Sequence, residues 1–286
     1  MEITLLEDPA CGWCWAFQPV VTAIEFELID SGGGRPVRLR RVMGGLRDRP
    51  VQDTAFFARH WRTAAAVSGM PFNFSFWDRQ NLQTTFDACR LVKAALTQGQ
   101  SAADRVLRRL REAFLVEAVA IDERETLLRI VKTAGIDPEI VREQLDNGRA
   151  SLLFERDRIE AVEHRFGFPT LVLRKHPHDP PLILKGLVTY GEVLQGFNQM
   201  GYSLKDRRRF QNAAADWDRL FAIHERLTRP EVQLVTRLEG DELFRSLDRF
   251  GIGEDGPFLV RGKSAAPPQP LPEGVPAGDV GRLAFG

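Results

Sequence analysis

The chain has 286 residues, enough for one large domain or two modest ones with a sizeable core. Hydrophobic residues make up 43% and charged residues 27%, the balance of an ordinary globular protein. The 39 basic and 39 acidic residues cancel, so net charge gives no bulk attraction to nucleic acid or anionic membranes. No apolar run approaches the ~20 residues of a membrane span. From the charge balance and this absence together, we expect neither a nucleic-acid nor a membrane partner.

The first residues, MEITLLEDPAC, lack the basic segment and long apolar segment of a secretory signal. We therefore expect a cytoplasmic protein. Only three cysteines are present, and Cys11 and Cys14 are separated by just two residues. In a reducing cytosol such a pair is more often catalytic, redox-sensing or metal-binding than a structural disulfide.

The first elements predict an α/β unit. Residues 2–6 are short, apolar and partly β-branched, which predicts a strand. Apolar residues then recur at helical spacing from 13 to about 30, which predicts one helix, ended by SGGG at 31–34. Alternation over 37–43 predicts a second strand.

A long stretch, roughly 50 to 165, has little strand character and is predicted as a helical block. An amphipathic helix is expected over 101–119, with its apolar residues on one face and several arginines on the other. Asp122 with Glu125 has the spacing of a capping box at a helix start. Asp137-Pro138 begins a further helix, with aspartate as cap and proline in the first turn.

Strand character returns at 168–173 and 182–188, and a helix is predicted from Thr189 to about Met200. Without the helical block, the order is β-α-β-α-β-β-α, an α/β unit around one small sheet.

The remaining residues form a separate region. It is predicted as one helix over 204–227, two more over 228–238 and 240–251, and a short strand over 257–263. Residues 264–286 are rich in proline and glycine and are expected to be an irregular tail. The helix-helix-strand pattern weakly resembles a small winged-helix unit.

The two cysteines lie where the first strand turns into a helix. The unpaired N–H groups and partial positive charge of a helix N-terminus stabilise a thiolate over a thiol. Cys11, just before the first turn, is therefore the predicted nucleophile, and Cys14 is placed to resolve a mixed disulfide. Alternatives are half of a zinc site, which needs further ligands, or a pair of inert core cysteines. Cys89 stands alone and is expected to be a buried small hydrophobe, with a regulatory disulfide as a further option.

Several segments resemble a known family. DPACGWCWAFQP resembles the active-site segment of FrnE-related cytoplasmic disulfide isomerases of the DsbA-like thioredoxin superfamily. MGGLR at 43–47 looks like the loop after their second strand, residues 60–79 and 111–137 resemble their inserted helical domain, and FGFPTLVL at 166–173 resembles the segment with their cis-proline. The resemblance covers about residues 1–200.

The resemblance implies an α/β thioredoxin-like fold with an inserted all-helical domain and a C-terminal extension. The domains implied are the thioredoxin-like domain (1–48 and 151–203), the inserted helical domain (49–150), a small helical C-terminal region (204–263) and the tail (264–286).

The resemblance also implies that the Phe168-Pro169 bond is cis and that this segment faces the cysteines. Phe168, Pro169 and Thr170 are then substrate-binding residues, with an extended substrate adding as a strand. Trp13 is expected to form a partly exposed apolar lip for substrate, and Trp15 to be a core anchor. A cluster of aromatic residues over 72–77 is expected in the core or lining a cleft.

Three functions are compatible with these residues. The first is a thiol-disulfide oxidoreductase, a reductase or isomerase, in which Cys11 attacks and Cys14 resolves. Its substrates are protein or low-molecular-weight disulfides. It needs no cofactor beyond the redox-active cysteine pair, and an external thiol supplies the electrons. The second is a redox-sensitive adaptor, with partner docking or homo-oligomer formation through the C-terminal region. The third is a thiol-conjugating transferase or isomerase, against which the intact cysteine pair argues.

Overall fold

The computed structural model describes residues 1–29, 37–164, 167–176, 178–205 and 207–262. The predicted tail over 264–286 and the glycine-rich stretch at 31–34 lie outside the described residues.

The central sheet of the described chain has four strands: β1 (Glu2–Glu7), β2 (Arg38–Met43), β3 (Thr170–Arg174) and β4 (Leu182–Lys185). Their order is β2-β1-β3-β4, with β2 parallel to β1, and β3 antiparallel to both β1 and β4. The central strand β1 is buried on both faces, because Ile3 and Leu5 pack into one apolar cluster and Leu6 into another. Such burial explains why its sequence is almost continuously apolar.

The helices of the described residues are α1 (Gly12–Ala16), α2 (Gln18–Glu27), α3 (Thr54–Ser68), α4 (Phe76–Arg79), α5 (Phe86–Ala95), α6 (Gln100–Arg111), α7 (Arg124–Thr133), α8 (Pro138–Asp146), α9 (Arg149–Glu163), α10 (Tyr190–Gln199), α11 (Ala214–Ile223), α12 (Arg229–Thr236) and α13 (Gly240–Arg249). Helices α3 to α9 lie between β2 and β3 in the chain, and a π-helical turn, Glu112–Val116, follows α6. The predicted α/β architecture with an inserted helical part and a C-terminal extension is confirmed.

The inserted helices have an aromatic core. Trp61, Phe76 and Phe114 are buried there with ring centroids 4.7 to 6.3 Å apart. Phe76 and Trp77 are therefore core residues, while Phe72 and Phe74 are partly exposed. None of the helices in the described residues has the length and apolar character that a bilayer span requires.

The C-terminal unit, residues 207–262, contains a sheet as well as helices. Strands β5 (Arg226–Thr228), β6 (Ile252–Asp255) and β7 (Phe258–Arg261) pair antiparallel in the order β5-β7-β6. The elements of this unit follow one another in the chain as α11-β5-α12-α13-β6-β7, and the resemblance to a winged-helix unit stays a prediction. Its residues Trp217 and Val232 share one apolar cluster with Phe17 and Ile24 of the cysteine-bearing unit.

Two helix predictions near the N-terminal half are wrong. The single helix expected from 13 to about 30 is split at Phe17 into α1 and α2. Pro19 lies in the first turn of α2, where its missing N–H cannot continue the hydrogen bonds of α1. The capping box expected at Asp122 is absent from the described contacts, since α7 begins at Arg124 and the Asp122 carboxylate accepts from Gln83 N at 2.6 Å.

The helix predicted over 204–227 is also wrong, because only Ala214–Ile223 is helical. Arg208 N donates to the carbonyl of Glu27, and Asn212 has a positive φ of 55°, so the preceding residues cross the end of α2 without a helical turn. Arg226–Thr228 is strand β5, in which Leu227 pairs with Leu259. Tertiary pairing therefore overrides a helical pattern here.

Candidate functional site

Cys11 is the N-cap of α1, at the point where the chain leaves β1. Its sulfur accepts a hydrogen bond from Cys14 N at 3.3 Å, which places one unpaired helix N–H on the sulfur. All three cysteines are free thiols. The Cys11 side chain is 4% exposed, so a partner must fit closely around it to reach the sulfur.

Cys14 is buried one turn further along α1. Burial raises the pKa of Cys14 well above its usual range, and the hydrogen bond and charge of Cys11 raise it further. Cys14 therefore holds its proton, and any negative charge on the Cys11 sulfur strengthens this. When Cys11 becomes bonded to another sulfur, that charge disappears and Cys14 is easier to deprotonate.

The segment that carries Phe168 lies against Cys11. The Phe168-Pro169 peptide bond is cis, and the Phe168 carbonyl oxygen is 3.9 Å from Cys11 Sγ. Pro169 and Thr170 are buried, and the Thr170 hydroxyl donates to the carbonyl of Gly167 at 2.7 Å. The fold thus brings together the two predicted halves of the site, 157 residues apart, with Thr170 supporting the turn that carries Phe168.

Gly44 gives the Phe168 ring its place. A Cβ on Gly44 would lie 1.9 Å from Cζ of Phe168, so any side chain there would displace the ring. Gly44 directly follows β2, and its N–H donates to the carbonyl of Glu7 at 2.9 Å. In the sequence, Gly44 is noted only as part of the MGGLR segment. Its close approach to an aromatic ring more than 120 positions later cannot be predicted from the neighbouring residues.

The two tryptophans of the motif have different environments. Trp13 is partly exposed, and its ring meets His60 of α3 edge-on at 6.5 Å. Trp15 is fully buried, its indole N–H donates to the carbonyl of Pro71 at 2.9 Å, and the Arg108 guanidinium lies 4.7 Å from its ring centroid. Trp15 is a core anchor, as predicted, and Trp13 has the exposure that a substrate-contacting residue needs.

A layer of buried charge lies beneath the cysteine helix. Glu7, at the end of β1, accepts from Arg111 at 2.6 Å and from Arg41 at 2.8 Å. Burial alone would raise the pKa of Glu7, but the two guanidinium groups hold it below its usual value. Glu7 stays ionised, and its negative charge is one of the influences that raise the pKa of Cys14.

Asp8 and Cys89 form a second buried contact. Cys89 Sγ lies 3.4 Å from Asp8 Oδ2, and the same oxygen accepts from Thr85 Oγ1 and Leu46 N. Burial raises the pKa of both Asp8 and Cys89. Cys89 is buried, as predicted, but it is also a thiol donor to a carboxylate. Among the described residues, no three His, Cys, Asp or Glu side chains are grouped to hold a metal ion.

Sequence reasoning missed the arginines around this site. The sequence predicts that several arginines of 101–119 lie on the face opposite the apolar residues, but Arg108 and Arg111 are buried and ion-paired. The Arg108–Glu112 pair is local, four residues apart, but Glu231 and Glu7 lie more than 100 residues from Arg108 and Arg111, so the local pattern contained no signal for those two pairings.

A sheet of this topology, with a free cysteine pair at a helix N-terminus and a cis proline beside it, defines a thioredoxin-like thiol site. The family model described as Thioredoxin matches residues 5–193, well over half of the chain, and the chain belongs to this family.

Two curated relatives carry one name. The chain is 26% identical over 160 residues to the ClpXP adapter protein SpxH of Halalkalibacterium halodurans, a match that covers 53% of this chain and 51% of that protein. It is 26% identical over 196 residues to SpxH of Bacillus subtilis, with 66% of this chain and 64% of that protein covered. The chain thus spans about half to two thirds of the length of the curated relatives it matches.

Among solved structures, the chain is similar to the cytosolic disulfide reductase DsbM of Pseudomonas aeruginosa. The TM-score is 0.58 at 22% identity, and the match covers 70% of this chain and 100% of that one. At this identity the likeness shows the fold alone. It agrees with the thioredoxin-like architecture described above.

Proposed function

We propose that the protein is a thiol-disulfide oxidoreductase, acting as a reductase or isomerase on protein or low-molecular-weight disulfides. One observation carries this proposal. The Cys11 sulfur accepts the Cys14 N–H at the start of α1 and lies beside the Phe168 carbonyl at the cis bond. That arrangement supports the proposed roles of Cys11 as nucleophile, Cys14 as resolving thiol and the Phe168-Pro169 segment as the substrate contact.

The reaction proceeds in two exchanges. The Cys11 thiolate attacks one sulfur of a substrate disulfide, forming a mixed disulfide and releasing the other sulfur as a thiolate. Cys14, now easier to deprotonate, loses its proton to solvent and attacks Cys11 Sγ. This breaks the bond between Cys11 and the substrate sulfur, which leaves as a second thiolate. The substrate has gained two electrons and is reduced, and Cys11 and Cys14 have lost two electrons and form a disulfide. An external thiol restores the dithiol.

Trp13 and the Phe168-Pro169 segment flank Cys11 and contact the partner in this proposal, with Thr170 beneath them. The direction of the reaction depends on the redox poise of the compartment. The cytosolic reductase with the same fold supports reduction or isomerisation in the cytoplasm rather than net oxidation.

Reduction of insulin by dithiothreitol tests the proposal. We expect the wild type to accelerate it and Cys11→Ser to remain at the uncatalysed rate. Cys14→Ser should lack turnover but accumulate a mixed disulfide at Cys11, visible as a thiol-sensitive mass increase. Cys89→Ser is the matched control, because Cys89 lies in the separate Asp8 cluster, and it should retain activity. A wild type that fails to accelerate the reaction would contradict the oxidoreductase function.

A redox-sensitive adaptor is the second candidate, favoured by the name of the curated relatives and by the C-terminal unit. In that function the protein presents a protein partner to a protease, and the cysteines sense redox state with little turnover. A partner trapped by Cys14→Ser separates the two functions. If the Cys11→Ser/Cys14→Ser double variant still promotes degradation of that partner by ClpXP, the adaptor function holds without exchange chemistry; if it does not, exchange is required. Self-association through the C-terminal region stays a prediction.

A further inference from the structure

Arg108 lies where the three parts of the molecule meet. It belongs to α6 of the inserted helices, where its Nε donates to Glu112 at 2.7 Å. Its two terminal nitrogens donate to Glu231 of the C-terminal unit at 2.7 and 3.0 Å. The same guanidinium lies over the ring of Trp15, 4.7 Å from the centroid. One side chain therefore connects the insert and the C-terminal unit to the residue that follows the second cysteine.

Glu231 completes this contact from the C-terminal side. It is fully buried, and besides Arg108 it accepts from Thr22 Oγ1 of α2 at 2.9 Å. The N–H and hydroxyl of Thr228 donate to its other oxygen at 2.7 and 2.8 Å, closing the capping box of α12. A buried carboxylate with every partner in place fixes one arrangement of the groups around it.

A second contact reaches the start of α2. The Gln18 amide Nε2 lies 3.4 Å from Nε2 of His224 in the C-terminal unit. Gln18 Oε1 accepts from Arg111 at 3.0 Å, and Arg111 donates to Glu7 beneath the cysteines. The C-terminal unit is thus bonded to the helix that directly follows the cysteine helix.

We propose that the C-terminal unit is a positioning element for the cysteine pair, and that Arg108 and Glu231 are the positioning residues through which it acts. Helix α1 has only five residues, too few to be stable without tertiary support. Trp15 supplies that support, held by the Pro71 carbonyl on its indole N–H and by Arg108 on its ring.

The consequence is chemical. The bond from Cys14 N to the Cys11 sulfur exists only while α1 keeps its place, and it stabilises the reduced form through the thiolate. Loosening the Arg108–Glu231 contact therefore shifts the equilibrium between dithiol and disulfide toward the disulfide. This inference rests on the proposed function in one respect, that the two cysteines form a disulfide in exchange with other thiols.

The test measures the equilibrium constant of the cysteine pair with glutathione. Glu231→Gln keeps the size of the side chain and a residue type that capping boxes accept, but removes the charge opposite Arg108. We expect a shift of about tenfold toward the disulfide, ~30 mV for a two-electron couple. Arg108→Lys, which keeps the charge but loses the planar fork, should give a smaller shift in the same direction.

Arg207→Gln is the matched control. Arg207 also joins the C-terminal unit to the rest of the fold, since its Nε donates to Glu27 at the end of α2 at 3.2 Å, and none of its described contacts involves Arg108 or Glu231. We expect its glutathione equilibrium to stay within about twofold of the wild type, since an ion-pair loss away from α1 leaves the Cys11 sulfur contacts intact. An equal shift in this control would show that any loss at the junction has the effect, and would contradict the assignment to Arg108 and Glu231.

If Glu231→Gln fails to fold, the double variant Arg108→Met/Glu231→Met replaces it, because removing both charges together leaves neither buried and unpaired. We expect the same shift toward the disulfide. If the wild-type pair exchanges with glutathione and none of these variants changes its equilibrium constant, this inference is contradicted and the proposed function is not. A wild-type pair that does not exchange with glutathione contradicts the proposed function and removes this inference with it.

Discussion

The rim around Cys11 and the layer beneath the cysteine helix are built from opposite kinds of contact. The rim consists of aromatic rings and backbone, with Trp13 partly exposed and Phe168 packed on Gly44. The layer beneath is ionic, with Glu7 held between Arg111 and Arg41 out of contact with solvent. Substitutions in the rim should therefore change exchange activity with little loss of stability, whereas substitutions in the layer beneath should lower stability more than those in the rim.

The largest effect is expected in the buried layer. Arg111→Met leaves Glu7 and Gln18 short of a donor in a site where the arginine is 1% exposed. Removing one partner of a buried ion pair costs about 3–5 kcal/mol, because the remaining charge stays desolvated. Urea unfolding of the wild type and the variant measures this loss of free energy of unfolding.

The matched control for this variant is Arg142→Met. Arg142 pairs with Glu139 on the surface of α8, where an ion pair is worth at most ~0.5 kcal/mol. If both variants lost the same free energy of unfolding, burial of the ion pair beneath the cysteines would not make it more important for stability than a surface pair.

A smaller effect, dependent on pH, is expected at Glu25. Burial raises the pKa of Glu25 to about 7, and although Arg41 opposes this, Arg41 is shared with Glu7 and Asp104, whose charges raise the pKa further. His224 lies 3.9 Å away, but burial holds its pKa well below 6.5, so it is uncharged near neutral pH. One guanidinium thus faces three carboxylates.

The sign of the pH effect follows from the direction of the shift. Because the pKa of Glu25 is higher in the folded state than the ordinary value of 4.5, the folded protein binds the extra proton between about pH 4.5 and 7. Stability from this group is present below that window and is lost as pH rises through it, by up to ~3 kcal/mol. Glu25→Gln should therefore flatten the fall in free energy of unfolding between pH 5 and pH 8. Parallel curves for wild type and variant would exclude Glu25 as the titrating group.

The same contrast explains how much the sequence could predict. Local patterns were enough for the sheet, the inserted helices and the pairing of Cys11 and Cys14 with the Phe168-Pro169 segment, because strand alternation, helix spacing and a resemblance each leave a mark in a short window. The ionic layer leaves none. Glu7 and Arg111 are 104 residues apart, and Arg108 and Glu231 are 123 apart. On a helical wheel those arginines look like a solvent face, but Arg111 pairs with Glu7 of β1 and Arg108 with Glu231 of the C-terminal unit.

Strand β5 shows the limit in another way. The segment up to Leu227 has helical spacing, but burial of Leu227 against Leu259 in the small sheet decides its conformation. The energy of that pairing depends on residues that come some 30 positions later, so no single-segment propensity includes it.

The smallest effect on stability and the most specific effect on activity are expected at Gly44. An alanine there places a methyl group 1.9 Å from the Phe168 ring, which must rotate or shift, and this disturbs the segment whose Phe168 carbonyl lies beside Cys11. The ring is only partly buried, so its displacement costs part of its packing against the small apolar cluster of Leu6, Val42, Ala161 and Val172 and not a whole core residue. We expect kcat/KM in insulin reduction to fall at least about tenfold, ~1.4 kcal/mol of transition-state stabilisation. The melting temperature should change by only a few degrees, roughly what ~1 kcal/mol produces. Gly167→Ala is the control on the same turn, since a Cβ there meets nothing within 4 Å, and it should keep wild-type activity. If Gly44→Ala retained activity, the ring of Phe168 would not contribute to substrate contact, and the backbone beside the cis bond would be sufficient.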